Sequence, residues 1–141
     1  PVRCTATADL GEVALLMARY DIGALPVVEA RSPRRPRGMV TDRDIVMRTV
    51  AEDIDPLKMK VADVMTNGAL TVADTDSVEA CLAVMKENQV RRVVVVDETG
   101  VCCGIVTQAT LARHLDPLQV GEVLQHVLQP REEAVPMSAR P

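Results

Sequence analysis

Side chains capable of chemistry gather in one short stretch, residues 38–45. A glycine and two apolar residues lead into Thr41, Asp42, Arg43 and Asp44, and an apolar helical pattern follows. A hydroxyl and two carboxylates at the end of a predicted strand can exchange hydrogen bonds with a small polar ligand. The same oxygens can satisfy the free N–H groups of a helix start, with Thr41 or Asp42 at the N-cap. The stretch therefore predicts a ligand contact, a helix cap, or both.

The pattern of glycine, two apolar residues and threonine returns at residues 104–107, 66 residues after its first occurrence. Thr107 takes the place of Thr41, whereas Gln108 and Thr110 replace the two carboxylates. Only the first copy of the pattern therefore keeps its acidic pair.

An internal duplication accounts for most of the chain. Cys4 aligns with Val72 and Met17 with Met85, an offset of 68 residues that holds over the first strand, helix and second strand. Apolar positions matched at a constant offset are typical of a repeat. Each copy is too small to bury its own sheet face, so two copies must share a core. We predict an α+β (α/β) fold of two pseudo-twofold-related β-α-β-β-α repeats packed through their sheets. The predicted segments are repeat 1 at residues 1–51, a connector at 52–69, repeat 2 at 70–115, a C-terminal helix at 116–129 and a flexible tail at 130–141.

Apolar periodicity and turn residues predict the individual elements. The first helix should begin near residue 10, capped by Thr7 or Asp9, and end at Gly23. Ser77 should cap the helix that begins at residue 78. The remaining predicted segments are strands at 1–6, 25–28, 38–40, 70–72, 93–96 and 101–106, helices at 42–51 and 110–115, and a short helical turn at 61–66.

Composition excludes several classes of function. The chain has 141 residues, a formal net charge of −4, no Phe or Trp, and Tyr20 as its one aromatic residue. Base stacking is thus nearly ruled out, and the negative charge argues against a broad nucleic-acid surface. No apolar run reaches the ~18 residues of a membrane helix, and no signal peptide is recognisable. The chain begins at Pro1, and we expect a natural N-terminal lead-in to be missing. We predict a cytoplasmic protein with no membrane or nucleic-acid partner.

Four arginines between the second and third predicted strands form the most basic stretch of the chain. They are interleaved with Ser32, Pro33 and Pro36, and a solvated loop is the favoured interpretation of such a charge run. The arginines are Arg31, Arg34, Arg35 and Arg37.

Cysteine and histidine supply ligand types for zinc, but none of them has ligand spacing. No C-x-x-C pair occurs, which favours reduced structural thiols in a cytosolic protein. We therefore predict no metal site, with a zinc or thiol sensor as an alternative. Catalysis has no support either, because nucleophile motifs, a glycine-rich phosphate loop and H-E-x-x-H are all missing from the sequence. The residues weighed for zinc are Cys4, Cys81, Cys102, Cys103, His114 and His126.

Four sequence motifs resemble those of a tandem cystathionine-β-synthase (CBS) domain pair, or Bateman module. They are D-I-G-A-L-P-V-V at 21–28, G-M-V-T-D-R-D-I at 38–45, V-R-R-V-V-V-V at 90–96 and G-I-V-T at 104–107. The resemblance covers about residues 2–115 and is nearest to small stand-alone bacterial CBS-pair proteins, a group that includes hypoxic-response proteins.

The resemblance implies a regulatory site for an adenosine-type nucleotide, AMP, ADP, ATP or S-adenosylmethionine, in the cleft between the repeats. It implies that Asp44 accepts hydrogen bonds from ribose hydroxyls and that Thr41 bonds the ribose or phosphate. Arg91 and Arg92 would meet phosphates, and Thr5 would lie near the adenine edge. No cofactor is required by this interpretation. The implied binding residues are Thr5, Ile22, Gly23, Ala24, Leu25, Pro26, Val27, Thr41, Asp42, Asp44, Arg91, Arg92 and Thr107.

The second copy departs from the family pattern, because Thr110 stands where the ribose-binding aspartate is expected. A threonine can bond one ribose hydroxyl but not both. We expect the second site to be empty, weaker or altered in ligand. A ligand-free stress-response or protein-interaction scaffold with a degenerate site is the alternative function. The resemblance also implies a homodimer, with an unidentified protein target.

Overall fold

The structure is a computed structural model that describes residues 2–31, 33–113, 116–118 and 121. The predicted C-terminal helix and tail lie outside these residues, apart from 116–118 and 121, as do His114 and His126. Within the described part of the chain, no helix is long and apolar enough to cross a bilayer.

Strands and helices alternate along the chain as the duplication predicts, which confirms the mixed α and β class. Two short 3₁₀ turns, at Pro56–Lys58 and Val61–Asp63, lie in the predicted connector, and a third, at Val50–Glu52, lies where repeat 1 meets it. The elements are β1 (Cys4–Thr5), α1 (Leu10–Tyr20), β2 (Ala24–Val28), β3 (Pro36–Thr41), α2 (Asp42–Arg48), β4 (Thr66–Asn67), β5 (Thr71–Ala73), α3 (Val78–Asn88), β6 (Arg92–Val96), β7 (Cys102–Thr107) and α4 (Gln108–Ala112).

Two small sheets hold these strands. The first has the order β1-β2-β3-β4, with β1 parallel to β2 and with β2 and β4 antiparallel to β3. The second has the order β5-β6-β7, with β5 parallel to β6. Ala24 lies opposite Thr41, and Pro26 lies opposite Met39. Directly opposed side chains point to one side of a sheet. These four residues therefore share one face, which we call the Thr41 face.

The main core covers the other face of the first sheet. Leu25 and Val40, opposed across β2 and β3, are both fully buried there. Helix α1 adds Leu10, Val13 and Met17 to the same cluster, at the spacing of one helical face. Fully burying such an aliphatic side chain contributes about 1.5–3 kcal/mol. A smaller cluster of Val28, Val94 and Cys102 packs with Met39, Ala69 and Val96 beside the Thr41 face.

Contacts within the chain define two compact units. The first unit contains residues 1–76 and 93–106, and so holds the first sheet, β5, β7 up to Val106 and β6 from Val93. The second unit contains residues 77–92 and the chain from 107 onward, including α3 and α4. The repeat boundaries given above stay a prediction.

Helix α1 ends earlier than predicted. Its C-cap is Asp21, whose φ of 51° is left-handed and whose N–H donates to the carbonyl of Met17. Aspartate tolerates this conformation, so the helix does not need Gly23 to stop. Helix α2 likewise ends at Arg48 instead of residue 51, and a 3₁₀ turn follows it. Predicted ends at Gly23 and residue 51 were therefore wrong.

The N-cap of α1 also differs from the prediction. Asp9 occupies the cap position, but its side chain forms no capping hydrogen bond. It accepts instead from the ammonium of Lys60, and that bond raises the pKa of Lys60. Ser77 does cap α3 as predicted, because its hydroxyl accepts from the N–H of Ala80 at 3.1 Å.

The predicted connector is more ordered than its sequence indicates. It contributes strand β4, which pairs with β3 through Gly38 and Met39. The guanidinium of Arg48 on α2 donates to the carbonyls of Val64 at 2.5 Å and Met65 at 3.0 Å. These bonds tie the end of α2 to the chain just before β4.

Asp97 organises the turn between β6 and β7. Its Oδ1 accepts hydrogen bonds from the Thr99 hydroxyl at 2.7 Å, the Thr99 N–H at 2.9 Å and the Val101 N–H at 3.0 Å. These hydrogen bonds hold the pKa of Asp97 below its ordinary value, and the bond from the Thr99 hydroxyl has the largest effect. A lowered pKa in the folded state gives stability that is present above the unfolded pKa and lost as pH falls.

We therefore expect Asp97→Ala to lower the melting temperature at neutral pH, by an amount that shrinks as pH falls below the ordinary carboxyl pKa of 3.8. The measurement is thermal unfolding of both proteins between about pH 7 and pH 3. A difference in melting temperature that stays constant over this range would contradict the role given to the Asp97 carboxylate.

Candidate functional site

The corner between β3 and α2 is built by a reciprocal pair of hydrogen bonds. Thr41 ends β3 in an extended conformation and is the N-cap of α2. Its Oγ1 accepts from the N–H of Asp44 at 3.0 Å, and Oδ2 of Asp44 accepts from the N–H of Thr41 at 3.0 Å. This is a capping box, which satisfies free backbone donors at a helix start. The predicted cap is therefore confirmed, with Thr41 as the N-cap.

The second carboxylate oxygen of Asp44, Oδ1, takes no part in the capping box. Oδ1 accepts no hydrogen bond from a described residue and lies 3.9 Å from Nη2 of Arg48. The Asp44 side chain is 16% exposed, so a ligand can reach it. Sequence reasoning overlooked Arg48 here, although its position four residues after Asp44 on one helix is the usual signal for such a pair.

Gly23 lies close to Asp42, the other acidic residue of the corner between β3 and α2. The carbonyl of Gly23 accepts from the N–H of Asp42 at 2.9 Å. A Cβ on residue 23 would lie 2.9 Å from Oδ2 of Asp42, so a larger residue there would require the exposed Asp42 side chain to shift. Oδ1 of Asp42 accepts from the N–H of Arg43 at 2.8 Å. The structure thus brings Gly23, Ala24, Thr41, Asp42 and Asp44 together at one corner.

Only some of the residues of β2 that were predicted to contact a ligand have side chains on the same face as Thr41. Leu25 and Val27 are fully buried and belong to the main core, on the opposite face from Thr41. Ile22 also packs against that core. The side chains on the Thr41 face are Ala24, Pro26 and Met39. Sequence reasoning missed Met39, which the alternation of a strand places on the same side as Thr41.

Thr5 lies away from the corner. It pairs with Val28, at the opposite end of β2 from Ala24 and Thr41. Four residues along a strand span about 13 Å. The Thr5 hydroxyl lies 3.3 Å from that of Thr7. Proximity of Thr5 to an adenine stays a prediction of the resemblance.

The second repeat forms a neutral version of the corner, in the second unit. Thr107 caps α4 by accepting from the N–H of Thr110 at 3.3 Å, and the two hydroxyls lie 3.2 Å apart. The N–H of Gln108 donates to the carbonyl of Arg91, as Asp42 does to Gly23 in the first repeat. Arg91 is exposed and Arg92 begins β6. The buried Nε2 of Gln108 has no hydrogen-bond partner among described residues.

The four cysteines are all free thiols, and only Cys103 is exposed. Burial raises the pKa of Cys4 to about 11, and burial also raises that of Cys103. Among described residues, no group of three His, Cys, Asp or Glu side chains is placed to hold a metal ion. His114 and His126 lie outside those residues.

Since access governs thiol reactivity and only Cys103 is exposed, we expect one cysteine to react with Ellman's reagent in the folded protein faster than the other three. Cys103→Ser should remove this fast reaction, and denaturant should release the buried thiols. Two or more fast thiols in the folded protein would contradict the burial of Cys4, Cys81 and Cys102.

Comparisons with known proteins identify relatives that match most of the chain. The CBS domain family model matches residues 1–50 and 61–117. Hypoxic response protein 1 of Mycobacterium tuberculosis is 36% identical over 121 residues, covering 86% of this chain and 82% of that protein.

Two solved structures extend the comparison. The crystal structure of hypoxic response protein I with two coordinated zinc ions is 36% identical, with a TM-score of 0.70, and covers 82% of this chain and 92% of that chain. A CBS domain protein of Pyrobaculum aerophilum complexed with AMP is 28% identical, with a TM-score of 0.72, and covers 89% of this chain and 92% of that chain.

Proposed function

The chain belongs to the CBS domain family, and from this premise we propose that it is a regulatory module that binds an adenosine nucleotide at the β3–α2 corner of its first repeat. The observation that carries the proposal is Oδ1 of Asp44, which accepts no hydrogen bond from a described residue and has Nη2 of Arg48 as an ion-pair partner at 3.9 Å, on a partly exposed side chain held by the Thr41 backbone. The AMP complex of the Pyrobaculum relative supports the choice of ligand.

The capping box and the ligand contact use different atoms. Oδ2 of Asp44 holds the N–H of Thr41, which fixes the carboxylate in place, and Oδ1 is left to accept from a ribose hydroxyl. Thr41 Oγ1 accepts one bond from the backbone and keeps its own hydrogen to donate. A hydrogen bond to a charged carboxylate is worth about 1.5–3 kcal/mol. The cap thus prepares the carboxylate for binding.

We infer that the adenine lies along the Thr41 face, against Ala24, Pro26 and Met39. Apolar side chains bury a purine by area, and the methionine thioether adapts to an aromatic ring. Leu25 and Val27 contribute backbone atoms at most, because their side chains lie in the core. Contacts from Thr5, Arg91, Arg92 and Thr107 stay predictions of the family resemblance.

Thermal unfolding against AMP, ADP, ATP and S-adenosylmethionine at millimolar concentration tests the proposal. A ligand that binds only the folded state stabilises it by about 2.7 kcal/mol at a hundredfold excess over Kd. We expect one of these ligands to raise the melting temperature by several degrees. No shift with any of them, together with no binding in equilibrium dialysis, would favour the ligand-free scaffold.

A zinc site is the second candidate, because the hypoxic response protein relative was solved with two coordinated zinc ions. The described residues offer no three-ligand cluster, so such a site would need groups from outside them. Elemental analysis of the purified protein decides between one or more equivalents of zinc and none.

We propose further that the protein is a cytoplasmic homodimer. Free thiols fit a reducing compartment. Large apolar side chains exposed on the first unit, among them Leu15, Val46, Val50 and Leu57, fit a surface covered by a second copy. Sedimentation equilibrium at micromolar concentration measures this, and a monomer would overturn it.

A further inference from the structure

The loop between β2 and β3, together with the start of β3, carries an unpaired cluster of positive charge. Arg34, Arg35 and Arg37 are exposed, and Arg31 lies at the start of the same loop. None of them forms an ion pair with a described residue, since the pairs found there are Asp44–Arg48 and Asp9–Lys60. The chain as a whole has a net charge of −4, so this cluster is a local concentration of positive charge on a protein that is negatively charged overall.

Backbone hydrogen bonds anchor the three arginines of the cluster to neighbouring parts of the chain. The carbonyl of Arg34 accepts from the N–H of Cys102 at 3.1 Å, that of Arg35 from Glu29 at 2.9 Å, and that of Arg37 from Gly68 at 2.9 Å. The loop is therefore anchored to β7 and to the residue after β4. None of these bonds uses a guanidinium, which leaves three side chains free above a fixed backbone.

The neighbouring turn forms no ion pair with the described arginines of the cluster. Nε of Arg35 lies 3.8 Å from the position that a Cβ would take on Gly100. Oδ1 of Asp97 in this turn is occupied by three hydrogen bonds from Thr99 and Val101. Arg35 therefore extends over the turn without a carboxylate partner.

We propose that Arg34, Arg35 and Arg37 form a docking surface for a short acidic segment of a partner protein. Guanidinium groups match carboxylates in a two-point geometry, and a fixed loop lowers the entropy cost of binding. The surface is exposed and arginine-rich, so it fits an extended chain with several Asp or Glu. Charges separated by more than about 10 Å are screened at 0.1 M salt, so a short acidic segment bound here interacts electrostatically mainly with the three arginines. A long nucleic acid would meet the negative remainder of the protein.

The test is fluorescence anisotropy of a fluorescein-labelled octa-glutamate peptide with the full chain at low salt. We expect saturable binding that weakens as salt rises. The triple variant Arg34→Gln, Arg35→Gln, Arg37→Gln should bind at least tenfold more weakly. Its melting temperature should stay close to that of the parent protein, because the loop anchors are backbone groups.

A matched variant removes three exposed charges elsewhere: Arg19→Gln, Lys58→Gln, Arg113→Gln. It should keep the affinity within about twofold, because these side chains lie outside the cluster. Equal weakening in both triple variants, no binding by the parent protein, or tighter binding of a DNA duplex than of the peptide would each overturn the proposal.

Discussion

Replacing Asp44 by alanine is expected to weaken adenosine-nucleotide binding at least tenfold, or about 1.4 kcal/mol. The change removes Oδ1, which is free to accept from a ribose hydroxyl, and Oδ2, which accepts from the N–H of Thr41. Loss of the capping box should also lower the free energy of unfolding by about 1 kcal/mol. Isothermal titration calorimetry with the nucleotide that stabilises the parent protein, and urea unfolding, measure the two effects.

Asp44→Asn separates the two effects. Its side-chain carbonyl can still accept from the N–H of Thr41, so the stability should stay close to that of the parent protein. Its charge is lost, so nucleotide binding should still weaken. Thr110 occupies the position of the second repeat that matches Asp44, and it carries no charge. The second repeat therefore offers a further control for the effect of losing the carboxylate charge. An unchanged affinity in Asp44→Ala would remove Asp44 from the site.

Gly38→Ala is expected to destabilise the protein by about 3 kcal/mol, the upper part of the range for overpacking. A Cβ on residue 38 would lie 2.1 Å from the carbonyl oxygen of Thr66 and 2.7 Å from Cε of Met65. The first of these atoms belongs to the backbone of β4 and cannot move without breaking its pairing with β3. Thermal unfolding followed by circular dichroism should show a fall of about 10 °C.

Gly104→Ala is the matched control, because Gly104 occupies the same place in the second copy of the motif. A Cβ there would meet nothing within 4 Å, so the variant should melt near the parent protein. Equal destabilisation by the two alanines would contradict the packing of β4 against Gly38.

Sequence patterns predicted the elements that positioned the site. Short apolar runs beside glycine and a polar loop located β2 and β3, helical spacing located the start of α2, and the repeated glycine motif located Thr41 and Asp44. These features depend on local residue types, which is why sequence alone reveals them. The capping box at Thr41 is equally local, since its partners are three residues apart.

Features that depend on distant pairing were not visible in the sequence. Gly38 and Gly104 look alike in their motifs, but only at Gly38 would a Cβ collide with a strand backbone, that of β4, which comes from a connector that gave no strand signal. Gly23 looked like a helix end, whereas the helix ends at Tyr20 with Asp21 as its C-cap, and the carbonyl of Gly23 accepts from the N–H of Asp42. The distance of Thr5 from Thr41 follows from the register of β1 on β2, which no local pattern specifies.

A crystal structure of the protein with AMP tests the central claim most directly. The account predicts a ribose hydroxyl within hydrogen-bond distance of Oδ1 of Asp44 and the adenine against Pro26 and Met39. A nucleotide bound elsewhere, or no bound nucleotide in crystals equilibrated with millimolar AMP that leave this corner open, would contradict it.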